Sequence, residues 1–169
     1  MTAISRLAAA LVLSALTAAT GWAQETDGVG DPMRGKKVYA RPDSCVNCHG
    51  WAADGKTGIS LKYPPGPSLR DTLLDTEALI EVIRCGRPGT PMPFHDQAAY
   101  RDGRCYGTVM SDYADDGSRP IRGKTMREAD ILNVVAYLEA DVIGLGKPTF
   151  EECVDFFENP NAGACRIIK

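Results

Sequence analysis

Cys45-Val46-Asn47-Cys48-His49 is the segment that most restricts what this chain can fold into. Two thiols separated by two residues are followed directly by a histidine. Each thiol adds across one vinyl group of a porphyrin, and the imidazole beneath the ring reaches the iron. This spacing is the attachment signature of a c-type haem. Two other readings use the same cysteines. A zinc site needs two further ligands close by, but the only other histidine is His95 and the remaining cysteines are distant. A thioredoxin-like redox pair belongs in a βαβ context, whereas the preceding stretch Asp31 to Tyr39 has a helical pattern.

The first residues read as a secretory signal, 1–23. Arg6 supplies the positive start, Leu7 to Ala19 the apolar run, and Gly21-Trp22-Ala23 a small-x-small cleavage site. The run is short for a bilayer-spanning helix, which sets the signal above its alternative, an uncleaved anchor. Export to the periplasm fits covalent haem. It also fits the cysteine count, since six less the motif pair leaves Cys85, Cys105, Cys153 and Cys165, an even number suited to an oxidising compartment. Residues 24–30 read as a flexible leader. No later stretch is apolar enough to span a membrane once the signal is removed. With 19 basic and 22 acidic residues and no basic cluster, the chain lacks the footprint of a nucleic-acid binder.

The regular structure expected is helical. Asp31-Pro32 is a good helix start, a capping carboxylate followed by a proline whose missing N–H is not needed there; this helix runs to about Tyr39, with Gly35 on it. Gly50 to Pro67 reads as loop. Thr76 to Arg84 places Leu79, Ile80 and Ile83 on one face, capped by Asp75 or Thr76. Gly86, Pro88, Gly89, Pro91 and Pro93 then interrupt regular structure. Thr125-Met126-Arg127-Glu128 has the form of a capping box, followed by an apolar stripe of Ile131, Val134, Val135, Leu138 and Val142 that Gly144 and Gly146 end. A second box, Thr149 to Glu152, opens a short further helix.

A helix bearing a glycine, C-x-x-C-H, the turn Gly66-Pro67-Ser68-Leu69, a helix, the Met-Pro loop at Met92 and a last helix with an aromatic together resemble the class I monohaem cytochromes c. The resemblance covers most of residues 31–143, apart from an insertion at 93–124. A motif near the mature N-terminus separates the chain from the class II four-helix cytochromes. The resemblance implies an all-α fold wrapped around one covalent haem c. It implies His49 as proximal ligand, the Pro67 carbonyl as acceptor for the other ring nitrogen, and Met92 as distal ligand. His95, a stronger nitrogen donor, is the main rival to Met92; Met110 and Met126 are others. Gly35 and Tyr137 would mark the crossing of the first and last helices. Trp51 either shields the haem edge or belongs to the loop.

The insertion carries Tyr100, Tyr106 and Tyr113. Its acidic cluster, Asp112, Asp115 and Asp116, lacks the spacing of a calcium loop and reads as a solvated turn. The four remaining cysteines allow three pairings. Sequence neighbours are the easiest to close, favouring Cys85–Cys105, which encloses Met92, and Cys153–Cys165, which pins a C-terminal extension, 144–169.

With both axial positions filled, the function implied is electron transfer rather than catalysis. The run Cys85-Gly86-Arg87-Pro88-Gly89-Thr90-Pro91-Met92-Pro93 also looks like monohaem cytochromes linked to methanol oxidation in methylotrophic bacteria. That likeness implies a PQQ-dependent dehydrogenase as donor and a terminal oxidase or second cytochrome as acceptor. The alternative is a haem enzyme subunit or a gas or redox sensor with a labile or open distal site.

Overall fold

The computed structural model describes residues 30–56 and 62–168. The signal segment 1–23 and the leader up to residue 29 lie outside the described residues. The described chain forms five α-helices: α1 (Pro32–Tyr39), α2 (Val46–His49), α3 (Thr76–Cys85), α4 (Glu128–Asp141) and α5 (Phe150–Phe157). Two 3₁₀ turns, Met110–Asp112 and Gly163–Ile167, complete the regular structure, and no strand occurs among the described residues. None of these helices is long and apolar enough to cross a membrane.

The main core is α1 crossed against α4, with α3 also packed on α4. The starts of α1, α3 and α5 follow from local chemistry. The Asp31 carboxylate accepts the Arg34 N–H at 3.1 Å, and Asp75 accepts the Ala78 N–H at 2.9 Å. Thr149 and Glu152 satisfy each other's amides in a reciprocal box. Leu79 and Ile83 of α3, and Ile131, Val134, Val135 and Leu138 of α4, are buried as the apolar stripes require.

The start of α4 differs from expectation. It begins at Glu128, and the box between Thr125 and Glu128 is not formed. The Met126 N–H is taken by the His95 carbonyl at 2.9 Å, which holds residue 126 outside the helix. Glu128 pairs instead with Arg84 of α3. The buried Asp130 carboxylate accepts from Arg127 Nε at 3.1 Å and lies 3.7 Å from the Arg41 guanidinium.

Gly30, assigned to the leader, is instead part of the fold: a Cβ there would come within 2.5 Å of the Leu132 backbone. At the crossing itself, a Cβ on Gly35 would lie 1.8 Å from the Asn133 carbonyl oxygen and 2.7 Å from Tyr137 Cβ, so α1 touches α4 through backbone. The C-terminal extension packs into this same core. Phe156 and Phe157 stack obliquely on Trp51, at ring separations of 6.0 and 5.9 Å, and Cys153 is bonded to Cys165.

The insertion has a small core of its own. Phe94, Ala99, Tyr100 and the Cys85–Cys105 disulfide are buried together, with Met110 and Tyr113 against them. Its acidic residues have local partners: Asp112 accepts the Val109 N–H, Asp115 pairs with Arg119, and Asp116 accepts the Ser118 N–H. Among the described residues no cluster of three or more metal-ligating side chains is found.

Candidate haem site

α2 is a single turn. The His49 N–H donates to the Cys45 carbonyl at 2.8 Å, and the Gly50 N–H to that of Val46 at 3.0 Å. Cys45 and Cys48, three positions apart, share one side of this turn, and Val46 and His49 are buried. Two contacts hold it in place. The hydroxyl of the fully buried Tyr39, at the end of α1, donates to the Gly50 carbonyl at 2.7 Å. From the opposite side, the Gly66 N–H donates to the Cys48 carbonyl at 2.7 Å.

That second contact brings in the Gly-Pro-x-Leu turn. Leu69 N–H donates to the Ala53 carbonyl at 2.8 Å, fastening the far end of the turn to the loop after α2. Pro67 thereby presents its carbonyl oxygen 2.9 Å from His49 Nδ1. The approach needs a glycine at position 66, where a Cβ would fall 2.7 Å from His49 Cε1. The Nδ1–H donates to Pro67, which fixes the tautomer and leaves the Nε2 lone pair for a metal. Burial pushes the His49 pKa below its ordinary value, only partly opposed by the Pro67 bond, so the ring is neutral as a ligand must be.

Cys45 and Cys48 are both free and half-buried, and burial raises both thiol pKa values. A reactive redox pair has the opposite tendency, a thiol pKa brought down by its surroundings. Two neutral thiols on one face of a turn, beside an imidazole with one nitrogen already committed, fit a covalently attached iron porphyrin.

Met92 lies in a second unit, the loop after α3. Gly86 ends that helix with φ of +66°. The loop closes through Arg87 N–H to the Met92 carbonyl at 3.0 Å and Met92 N–H to Thr90 Oγ1 at 3.2 Å. Met92 is half-buried, whereas Met126 is in the main core and Met110 against the insertion core. His95 is buried at the base of the insertion. Its Nδ1 bonds the Lys124 carbonyl at 2.7 Å, and its backbone is tied to Arg84 and Met126. Trp51 is only 3 % exposed, and its aromatic neighbours come from α5.

Sequence reasoning did not find Arg70, which organises the back of the site. Its guanidinium donates to the carbonyls of Gly146 (2.6 Å), Ala52 (3.0 Å) and Leu145 (2.9 Å) and pairs with Glu152 at 3.0 Å. One buried side chain thus joins the loop after α2, the turn after α4, and α5. An arginine directly after the Gly-Pro-x-Leu turn has no local feature that marks it as buried.

Residues 30–105, less than half of the chain, match the family model described as cytochrome c oxidase, cbb3-type, subunit III. The matched stretch takes in Cys45, Cys48, His49, Pro67 and Met92 and stops at Cys105, inside the insertion. Neither the curated proteins nor the solved structures give a significant match. The family match supports a c-type cytochrome domain over these residues, and such a domain implies covalently bound haem c and haem-based electron transfer.

Proposed function

We propose that the chain is an exported, periplasmic electron carrier. It holds one haem c on Cys45 and Cys48, with His49 as the proximal ligand and Met92 as the distal one. The observation that carries this reading is the His49–Pro67 bond beside two free thiols. The group supplies a one-electron couple at nearly constant geometry. The protein's part is to keep the ligands still. Pro67 orients the imidazole, Tyr39 and Gly66 hold the turn that bears the thiols, and the closed loop at 87–92 presents a soft thioether that favours ferrous iron and raises the potential.

Met92 is preferred to His95 because of where each is held. His95 sits buried at the base of the insertion, with its backbone paired to Arg84 and Met126. Met92 is half-buried, on a loop that closes through its own backbone and the Thr90 hydroxyl.

The Met-loop likeness supports a PQQ-dependent dehydrogenase, such as a methanol dehydrogenase, as donor. The acceptor in this reading is a terminal oxidase or a second cytochrome. Both contacts would be transient.

A redox titration with absorption spectra on the purified exported protein tests the reading. The expected result is one covalent haem, a low-spin spectrum with the weak red band of iron–sulfur ligation, loss of that band in Met92→Ala, and reduction by a purified PQQ-dependent dehydrogenase. Rapid, tight carbon monoxide binding to the unaltered ferrous protein would instead indicate an open distal site, and with it an enzyme or sensor.

A further inference from the structure

The insertion 93–124 folds around the two ends of the loop that carries Met92. At the near end, the carbonyl of the last residue of α3 and that of Gly86, which caps the helix, each receive a tyrosine hydroxyl from the insertion. Tyr100 donates to Cys85 O and Tyr106 to Gly86 O, both at 2.7 Å. Cys85 is also covalently joined to Cys105, the residue before Tyr106. Carbonyls at a helix C-terminus lack partners within the helix, so these hydroxyls satisfy groups that would otherwise turn to water and let the last turn fray. At the far end, Phe94 packs edge-on against the same Tyr100 at 5.5 Å. Its backbone is paired on both sides, N–H to Ile121 O and carbonyl from Gly123 N–H, each at 2.9 Å. Gly86 and the segment Met92 to Phe94 are in backbone contact, with a Cβ on Gly86 falling 2.6 Å from Phe94 N.

We infer that this insertion is a positioning device for Met92, in which Tyr100, Tyr106 and the Cys85–Cys105 bridge hold both flanks of the ligand loop against opening. The inference rests on the reading of Met92 as the iron's second ligand. An iron–thioether bond is weak, so its lifetime depends on how readily the loop swings away. Anchoring both flanks to one small core removes the loop's freedom beforehand, and the bond no longer has to supply that ordering.

The test uses the haem-loaded protein and four variants: Tyr106→Phe, Cys85→Ser with Cys105→Ser, Met92→Ala, and Cys153→Ser with Cys165→Ser as a control for general destabilisation. The readouts are the pH midpoint at which the ferric red band is lost, and the affinity of the ferrous form for carbon monoxide. Tyr106 is 41 % exposed, so its phenylalanine variant loses the hydroxyl with little repacking. One such hydrogen bond corresponds to about a fivefold change in the opening equilibrium. Tyr106→Phe should therefore raise carbon monoxide affinity about fivefold and lower the midpoint by roughly 0.7 pH unit. Loss of the Cys85–Cys105 bridge should shift both further, and loss of the C-terminal bridge should shift neither. If Met92→Ala abolishes the band while Tyr106→Phe and the Cys85/Cys105 variant keep wild-type values, the positioning role is overturned and the ligand reading stands. If Met92→Ala keeps the band, both are overturned.

Discussion

Gly35→Ala separates two readings of a helical glycine by the sign of its effect. A glycine merely tolerated in a helix gains about 1 kcal/mol when replaced by alanine. At position 35 the new Cβ would lie 1.8 Å from the Asn133 oxygen, 2.6 Å from the Asn133 carbonyl carbon and 2.7 Å from Tyr137 Cβ. Carbon–oxygen contacts of this kind settle at about 3.3 Å, so α1 and α4 must separate by roughly 1.5 Å at the crossing. Two of the three obstacles are backbone atoms of α4, and none is a flexible side-chain end that could move aside. Overpacking costs about 1–3 kcal/mol where side chains can adjust, and this site belongs at or above the top of that range. After the gain in helix propensity, a net loss of about 2 kcal/mol or more is expected.

The assay is guanidinium unfolding of the haem-loaded protein, followed by far-ultraviolet circular dichroism. Gly30→Ala is an internal standard. Its Cβ would meet Leu132 at 2.5 Å, but Gly30 precedes α1 and its backbone can yield, so its loss should be smaller. Because α1 ends in Tyr39, whose hydroxyl holds Gly50, tilting α1 in Gly35→Ala should also disturb the haem spectrum. A neutral or stabilised Gly35→Ala protein would refute the idea that α1 and α4 meet through backbone at this point.

Three further outcomes are expected. Arg70→Met should destabilise by about 3 kcal/mol in the same unfolding assay, at the low end for a broken buried pair because the Glu152 side chain, 28 % exposed, can rehydrate; Arg70→Lys should recover little of this, since one ammonium cannot reproduce the fork to three carbonyls and a carboxylate. Replacing Cys153 and Cys165 by serine should lower stability by about 3 kcal/mol in the chain-entropy model for a loop of 12 residues' separation, measured as the unfolding free energy extrapolated to water from midpoint and slope together. Burial holds the His95 pKa below its ordinary value, with the Lys124 bond opposing only in part. The unfolded chain therefore binds the proton first, and the contribution of neutral His95 to stability is complete above about pH 6.5 and declines as pH falls below it. Comparing unfolding free energies of wild type and His95→Asn between neutral and mildly acidic pH should show the wild type losing its advantage over that interval.

What was legible in the sequence was local in origin. Asp31 with Pro32, Asp75, and Thr149 with Glu152 each satisfy amides within their own first turn, so the residues that decide these helix starts are neighbours in the chain. The motif at 45–49 is legible for the same reason, since one helical turn is enough to align its three chemical groups. The start of α4 was misread because the deciding partner of Met126 is the His95 carbonyl, about thirty residues earlier, and a backbone pairing of that kind leaves no trace in the pattern of Thr125 to Glu128. Arg70 was missed on the same ground: its acceptors are carbonyls, which every residue has, and only the fold brings those of Ala52, Leu145 and Gly146 together. The insertion shows both cases at once. Its cysteine pairing follows from loop length, but the hydroxyls of Tyr100 and Tyr106 reach the end of α3 across 15 and 20 residues, and tyrosine in a loop gives no hint of its acceptor. The chemistry of this site is therefore written in short motifs, while the contacts that hold it rigid are long-range bonds to main-chain carbonyls. Substitutions at Arg70, Tyr39 or Tyr106 should for that reason alter ligand geometry and loop opening without touching any residue of the motif itself.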